Sequence, residues 1–411
     1  MSADLPGPGF SSAPSRPTGG SRPLREFILK VQSRCNLDCD YCYVYHLADQ
    51  SWRDQPRGMA PEIVAAIGDR IAEHARTHDL DSVTVRLHGG EPLLAGPDYL
   101  VRIVDELRHR VAPTRVVASV QTNGVRLDAV AADRLIAADI GIGISLDGDR
   151  KANDLHRRFR NGRSSYDTVV AAIELMREPD RSAYFSGVLC TIQLEADPLD
   201  VWRALRDRNL PAVDFLLPHG TWENPPPGLV PGDGRTPYAD WLIPIFDEWF
   251  DAAECPCGVR MFEDLVHLVL GGTESYESFG LDPVALVVIE TDGSYEQVDS
   301  MKAVHDGAAA TGLHVLRHAL DDVLRLPSFV ARQQGIDALS PICHSCAHHR
   351  ICGGGLYPHR YRPENGFGNP SVYCVDLYAL ITHIEQRVAD GLARRGTSLA
   401  AVRATRRRQQ P

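Results

Sequence analysis

From Arg25 onward two apolar rhythms alternate along the chain. Short β-rich runs, REFILKVQS, SVTVRLHGG, TRVVASVQTNG, DIGIGISLDG, YFSGVLCTIQ and AVDFLLPHG, read as strands. Between them PEIVAAIGDRIAEHARTH, PDYLVRIVDELRHRV, LDAVAADRLIAAD, SYDTVVAAIELMRE and LDVWRALRDR repeat apolar residues at helical spacing. Strands alternating with helices predict parallel βαβ units joined by right-handed crossovers. Six units fall short of the eight that close a barrel, so the expected fold class is α/β, an open, partial (β/α)6 barrel of the TIM type. A site in such a fold belongs at the C-terminal ends of the strands, where the loops gather.

Beyond Gly220 the alternation stops. WENPPPGLVPGDGRTP reads as a linker, followed by two helical stretches, YADWLIPIFDEWFDAA and VRMFEDLVHLVLGG. VALVVIETDGSYEQVDS predicts a hairpin turning at Asp292-Gly293, and LYALITHIEQRVADGLARR an amphipathic closing helix. The expected organisation is a disordered leader (1–24), the barrel (25–220), linker and bridging helices (221–272), a cysteine-bearing domain with its closing helix (273–390) and a tail (391–411).

Composition narrows the function classes. The chain has 411 residues, 44% of them hydrophobic and 24% charged, an ordinary globular balance. A net charge of −11 makes nucleic acid an unexpected partner, and the basic RATRRRQQP at the end reads as a solvated terminus. The Pro/Ser/Gly-rich start has no apolar stretch of signal-peptide type, and no segment reads as a membrane span; a cytoplasmic location without membrane association is expected. In such a compartment the 10 cysteines are metal ligands more readily than disulfides.

Cys35, Cys39 and Cys42 stand in a C-x3-C-x2-C spacing just after the first strand. A structural zinc site wants four closed ligands, whereas three thiolates on a [4Fe–4S] cubane leave one iron open to a small molecule. A zinc knuckle with its fourth ligand elsewhere is the competing reading. HGGEPLL follows strand two, QTNG strand three and SLDGD strand four, so four short motifs converge on one mouth. Alone each has a bland reading: GGEP and the Asn-Gly pair as turns, Ser145 as a strand end, Asp147 as a cap for the next turn.

CNLDCDYC after the first strand, with GGEP after the second, resembles the radical S-adenosylmethionine enzymes across roughly Arg25 to Cys374. The resemblance implies that S-adenosylmethionine fills the open iron site and is cleaved reductively to methionine and a 5′-deoxyadenosyl radical. It makes Cys35, Cys39 and Cys42 the cluster ligands and sets Tyr41 near the adenine. It makes Gly89, Gly90, Glu91 and Pro92 the loop that receives the methionyl amino group, with Glu91 supplying charge. Asn123 and Ser145 fall near the ribose, and Arg157 or Arg158 pairs the methionyl carboxylate.

Cys343, Cys346, Cys352 and Cys374 form a second set, C-x2-C-x5-C-x21-C, whose spacing alone suits zinc or [4Fe–4S]. The pattern resembles the SPASM extension of peptide-modifying radical enzymes, and implies one auxiliary [4Fe–4S] cluster in a C-terminal SPASM-like domain. His344, His348 and His349 read as polar loop residues. The extension's other cluster lacks its ligands: Leu356 and Val298 stand where cysteines are expected, and none follows Gly271 or Gly272 at the expected offset. Cys255 and Cys257 remain, too few to hold a cubane well, and Cys190 reads as an ordinary buried strand residue. Asp299 matches a carboxylate base.

CGGGLYPHRY…GFGNPSVYC and ETDGSYEQVDS look most like the FxsB-type maturases. That resemblance implies a ribosomal precursor peptide as partner, an electron donor such as ferredoxin or flavodoxin, and a cyclophane bond from an aromatic ring carbon to a side-chain β-carbon. Peptide recognition would fall to the stretch Trp222–Gly272, by strand addition to an exposed edge. Other radical peptide modifications (thioether or ether crosslinking, epimerisation, sulfatase-type oxidation) use the same parts. A redox sensor or peptide-binding protein without turnover is the rival from another class.

Overall fold

The structure, a computed structural model, describes residues 21–252, 257–272 and 278–409. Six strands, β1 (Glu26–Gln32), β2 (Ser82–Gly89), β3 (Arg115–Thr122), β4 (Ile140–Ser145), β5 (Phe185–Thr191) and β6 (Ala212–Leu216), lie side by side in chain order, all parallel. Between them run α1 (Pro61–Thr77), α2 (Pro97–Val111), α3 (Ala129–Ala137), α4 (Arg150–His156), α5 (Tyr166–Met176) and α6 (Pro198–Arg206). The expected α/β architecture is therefore present. α4, with 7 residues, is an addition of about two turns, too short for helical periodicity to reveal.

Alternation within the strands creates the interior. In β2 Val83, Val85 and Leu87 are buried in the core, while Thr84, Arg86 and His88 point into the barrel. Ser119 and Gln121 of β3, Ser145 of β4 and Thr191 of β5 continue that inner face. Strands apolar on one side and small or polar on the other leave an open barrel a lumen instead of a packed centre.

The C-terminal part extends this same sheet. Short strand β7 (Gly258–Val259) pairs with β6. The predicted hairpin, β8 (Leu286–Ile289) and β9 (Ser294–Glu296), forms as expected, with β8 parallel to β1. β10 (Ala310–His314) adds beyond β9, giving a ten-stranded sheet in the order β10-β9-β8-β1-β2-β3-β4-β5-β6-β7. The segment expected to start a separate domain thus continues the barrel wall on the β1 side.

The two helices after the linker are Pro237–Phe250 and Arg260–Val269, and both pack on the closing helix Cys374–Arg394. The tail is not merely solvated. It contains the helix Leu399–Gln409, and Arg403 ties that helix down by donating to the Val269 carbonyl at 2.7 Å and to Glu385 at 2.7 Å. Among the described residues no helix is long and apolar enough to cross a membrane.

Candidate active site

A cavity of about 170 Å³ opens at the C-terminal ends of the strands. Cys35, Cys39 and Cys42 line it together, with Tyr41, Gly89, Gly90, Glu91, Asn123, Ser145 and Arg157. The four strand-end motifs therefore meet in one place. Pro92 is buried just behind, where it begins a short turn of helix.

The cysteine loop is shaped by its backbone. Cys42 N–H donates to the Cys39 carbonyl at 3.0 Å, and Leu37 N–H points at Cys35 Sγ at 3.4 Å. Asn123 Nδ2 lies 3.6 Å from the same sulfur and donates to Asn36 Oδ1 at 2.8 Å. Burial pushes the thiols up, Cys35 to about 11 and Cys39 to about 12, so without a cation they are protonated at neutral pH. A bound metal displaces such protons, and three sulfurs beside the Arg157 cation suit an anionic, thiolate-held cluster.

The glycine pair is required by contact. A Cβ on Gly89, at φ +155°, would fall 2.2 Å from the Gln32 carbonyl oxygen. One on Gly90 would fall 2.5 Å from the Arg34 carbonyl oxygen. The β1 and β2 ends touch backbone to backbone, which brings the cysteine loop over the mouth.

Glu91 lines the cavity and also ties two strand ends together. Its carboxylate is fully buried and accepts three bonds, from Leu93 N–H at 2.9 Å, Thr122 Oγ1–H at 2.7 Å and Asn123 N–H at 2.7 Å. Burial pushes the carboxyl up, while these bonds favour the ionised form. Glu91 splices the β2 end to the β3 end from a place on the cavity wall.

Of the two arginines, Arg157 faces the cavity and Arg158 is exposed, donating to the Leu155 carbonyl at 3.2 Å. Arg157 Nη1 donates to the Tyr41 hydroxyl at 2.9 Å, and that hydroxyl donates to Asp147 Oδ2 at 2.6 Å. Asp147 also accepts from Thr191 N–H at 2.9 Å. The helix-capping role considered for Asp147 belongs to Asp149, which accepts from Ala152 N–H at 2.8 Å. Asp147 instead locks Tyr41 and Arg157 to the end of β5. Gln121, absent from the expected set, donates to Ser145 Oγ at 2.9 Å; a side chain on Gly143 would strike it. Tyr43, Tyr45, His88 and Thr191 also line the cavity. For His88 and Thr191 the signal in the sequence is position, at strand ends in phase with the inward side, whereas Tyr43 and Tyr45 follow the last cysteine on its loop.

Asp299 lies against the same region from the hairpin side. Its Oδ2 accepts from Lys30 Nζ at 2.8 Å, both groups being buried. Burial alone would raise this carboxyl, but the charges of Lys30, His88 and Lys302 outweigh it and hold the group below the usual range. Tyr43 is its neighbour toward the cavity; burial, reinforced by the Asp299 charge, drives that phenol well up. Lys302 bonds Glu296 at 2.8 Å and Glu290 at 3.1 Å, completing a buried charge network.

The second cysteine set sits on short helices. Cys343 lies in Pro341–His344, Cys352 ends His349–Cys352, and Cys374 begins the closing helix. Burial raises the Cys352 thiol to about 12, with Cys374 and Cys343 near enough to add to the shift; Cys343 and Cys346 act likewise on Cys374. The four thus face one another. Gly353, Gly354 and Gly355 all take positive φ, and Arg360 gathers their three carbonyls. That turn closes the loop around Cys352. His348 bonds Thr382 at 2.9 Å and His349 the Cys346 carbonyl at 2.8 Å. Val298 belongs to a small apolar cluster, Cys257 is packed in the main core, Cys190 is buried in β5, and Cys255 falls outside the described residues.

Residues 29–191, which span β1 through β5 and carry every motif of the cavity, match the Radical SAM superfamily. That stretch is a radical SAM domain. The chain is 26% identical over 361 residues to the uncharacterized protein sll1766 of Synechocystis, covering 84% of this chain and 87% of that one. It is 25% identical over 289 residues to a cysteine-type anaerobic sulfatase-maturating enzyme of Clostridium perfringens, covering 67% of this chain and 74% of that one. Among solved structures, anSMEcpe with bound AdoMet and Cp18Cys peptide aligns over 90% of this chain and 98% of its own, with TM-score 0.74 and 21% identity. Streptococcus suis SuiB bound to precursor peptide SuiA aligns over 86% and 76%, with TM-score 0.56 and 16% identity. At such identities the two structures establish a shared fold. The radical SAM domain implies a [4Fe–4S] cluster and S-adenosylmethionine, and the C-terminal cysteines are consistent with an auxiliary cluster.

Proposed function

We propose that this radical SAM enzyme modifies a ribosomally made peptide, joining an aromatic ring carbon to a side-chain β-carbon with net loss of two hydrogens. The observation that carries the reading is the convergence of Cys35, Cys39 and Cys42 with the Gly89-Gly90-Glu91 loop, Asn123, Ser145 and Arg157 in one cavity. Cys35, Cys39 and Cys42 hold the first cluster, and Cys343, Cys346, Cys352 and Cys374 an auxiliary one. When bound, the first cluster supplies the electron that cleaves S-adenosylmethionine. The chain's own groups orient the co-substrate: Arg157 offers a fixed cation for its carboxylate, and Gln121 and Ser145 offer a hydroxyl-binding pair. Tyr41, pinned by Asp147, forms a wall that an adenine can lie against. Asp299, held ionised by Lys30, is the acceptor for the proton released when the ring regains aromaticity, with Tyr43 between it and the cavity. An auxiliary cluster held by Cys343, Cys346, Cys352 and Cys374 would supply a route for the electron released with that proton to an external carrier of ferredoxin or flavodoxin type.

A second reading has specific support: the matched relative from Clostridium perfringens is a sulfatase-maturating enzyme, and the same cavity serves side-chain oxidation to an aldehyde. Anaerobic coexpression with each neighbouring small open reading frame, followed by tandem mass spectrometry, separates them. A crosslinked peptide loses two hydrogens, resists fragmentation across the bridge and ignores hydrazide probes. An aldehyde product that reacts with hydrazide would replace the crosslinking reading by the oxidation one. Cys35→Ala should abolish all product, and Cys346→Ala should do so with loss of soluble protein, since a closed metal site contributes to folding.

A further inference from the structure

The cofactor cavity has a neighbour. Leu216, the last residue of β6, lines it and also lines a second cavity of about 110 Å³. Tyr43 of the first cavity meets His219 of the second edge-on, with ring centroids 5.0 Å apart. A group seated in the second space therefore sits one side chain away from the cofactor.

The walls of this second cavity are mainly apolar: Phe215, Leu217, Met261, Phe279, Leu356 and Leu377. Leu356 stands where the SPASM resemblance implies a cysteine, and none of the described residues lining the space is a cysteine. The polar wall is a histidine pair, His219 Nδ1 lying 3.4 Å from His359 Nε2. Burial lowers both, His219 to about 4 and His359 well below its usual value, so both rings are neutral at pH 7. Farther round, Asp214 is paired with Arg260, and Asp264 lines the same wall with its carboxyl raised to about 6 by burial. The apolar walls with their imidazole edge suit a ring that carries one hydrogen-bonding atom. The cavity's size is of the order of the roughly 150 Å³ cavity known to accept benzene.

We propose that this cavity receives an aromatic side chain of the peptide, Tyr or Trp, with its ring among Met261, Leu356 and Leu377 and its O–H or N–H on the histidine pair. An aliphatic side chain would fill the apolar part and leave the imidazoles without a new partner. The proposal rests on the peptide-modification reading and adds the residue class that the peptide must carry beside the reacting position.

The test uses full-length protein, anaerobic, loaded with iron–sulfur clusters and S-adenosylmethionine, with N-acetyl-L-tyrosinamide and N-acetyl-L-leucinamide as probes. Saturation-transfer NMR titrations should show saturable binding of the tyrosine amide, about tenfold tighter than the leucine amide. Leu356→Trp, which fills the space, should weaken the tyrosine amide about tenfold, while Leu356→Met should stay within about twofold. Should Leu356→Trp fail to fold, Met261→Trp fills the same space from another wall. Equal binding of the two amides, or wild-type binding by a folded Trp variant, would overturn the proposal. Wild-type protein reduced with dithionite provides the separate check. If it makes 5′-deoxyadenosine yet ignores the tyrosine amide, the pocket assignment alone is wrong; if it makes none, the underlying reading fails.

Discussion

Glu91 has a structural part that its motif does not state, and Glu91→Gln isolates it. The carboxylate accepts from Leu93 N–H, Thr122 Oγ1–H and Asn123 N–H, with no solvent access. A glutamine can keep its oxygen where Leu93 and Thr122 need it. Its amide nitrogen must then face Asn123 N–H, donor against donor. One charge-assisted bond is lost, about 1.5–3 kcal/mol, and the buried Asn123 N–H is left without an acceptor, about 1–3 kcal/mol more. Against this, a neutral amide is cheaper to bury than a carboxylate, which offsets part of the loss. The net expectation is a destabilisation of about 2–3 kcal/mol, read from anaerobic urea unfolding of the cluster-loaded protein. Function should follow, because Asn123 carries the Nδ2 that reaches Asn36 and Cys35 Sγ. Iron content should fall along with stability. A variant that unfolds within about 0.5 kcal/mol of wild type and keeps its iron would refute the splice.

Two further outcomes test neighbouring groups. Asp299 sits below the usual carboxylate range because Lys30, His88 and Lys302 outweigh burial, so its ionised form persists as pH falls through 5. Lys30→Met removes one of those charges and should raise the carboxyl. The acid limb of a turnover–pH profile should then move to higher pH, and an unmoved limb would remove Asp299 from proton transfer. Arg157→Lys should weaken S-adenosylmethionine binding by about tenfold or more, because the guanidinium's bond to Tyr41 is part of the wall, whereas Arg158→Ala should change it less than about twofold. Equilibrium dialysis with labelled co-substrate reads both, and equal losses would contradict the orientation seen for the two side chains.

The sequence made the barrel legible because strand and helix periodicities differ and alternate, and the loops that carry chemistry fall at the strand ends. It located the cysteines, Gly89, Gly90, Asn123 and Ser145 for the same reason. What it could not give was the direction of individual polar side chains. Arg157 and Arg158 are adjacent, and only the end of the short helix α4 turns one inward and the other out. Asp147 and Asp149 are separated by two positions, and capping was open to either until the start of that helix was fixed. Glu91 shows the same gap: the GGEP text puts a carboxylate at a strand end, and the donors it gathers from Leu93, Thr122 and Asn123 come from two separate strand ends that the text does not join.

The hairpin is the deeper case. Its alternation and its Asp292-Gly293 turn predict β8 and β9 locally, but nothing local states that β8 lies parallel to β1, some 260 residues earlier. That pairing is long-range, and its consequence is chemical. Once β8 is beside β1, the turn after β9 delivers Asp299 to Lys30 and Tyr43, so the C-terminal part of the chain packs against the wall of the barrel's cavity instead of standing apart from it. A buried carboxylate on one segment and the cysteine loop on another are then held by one sheet, whose rigidity fixes their separation. If Lys30→Met shifts the acid limb, the register of a single strand pair accounts for a catalytic group that the linear text can suggest only by resemblance.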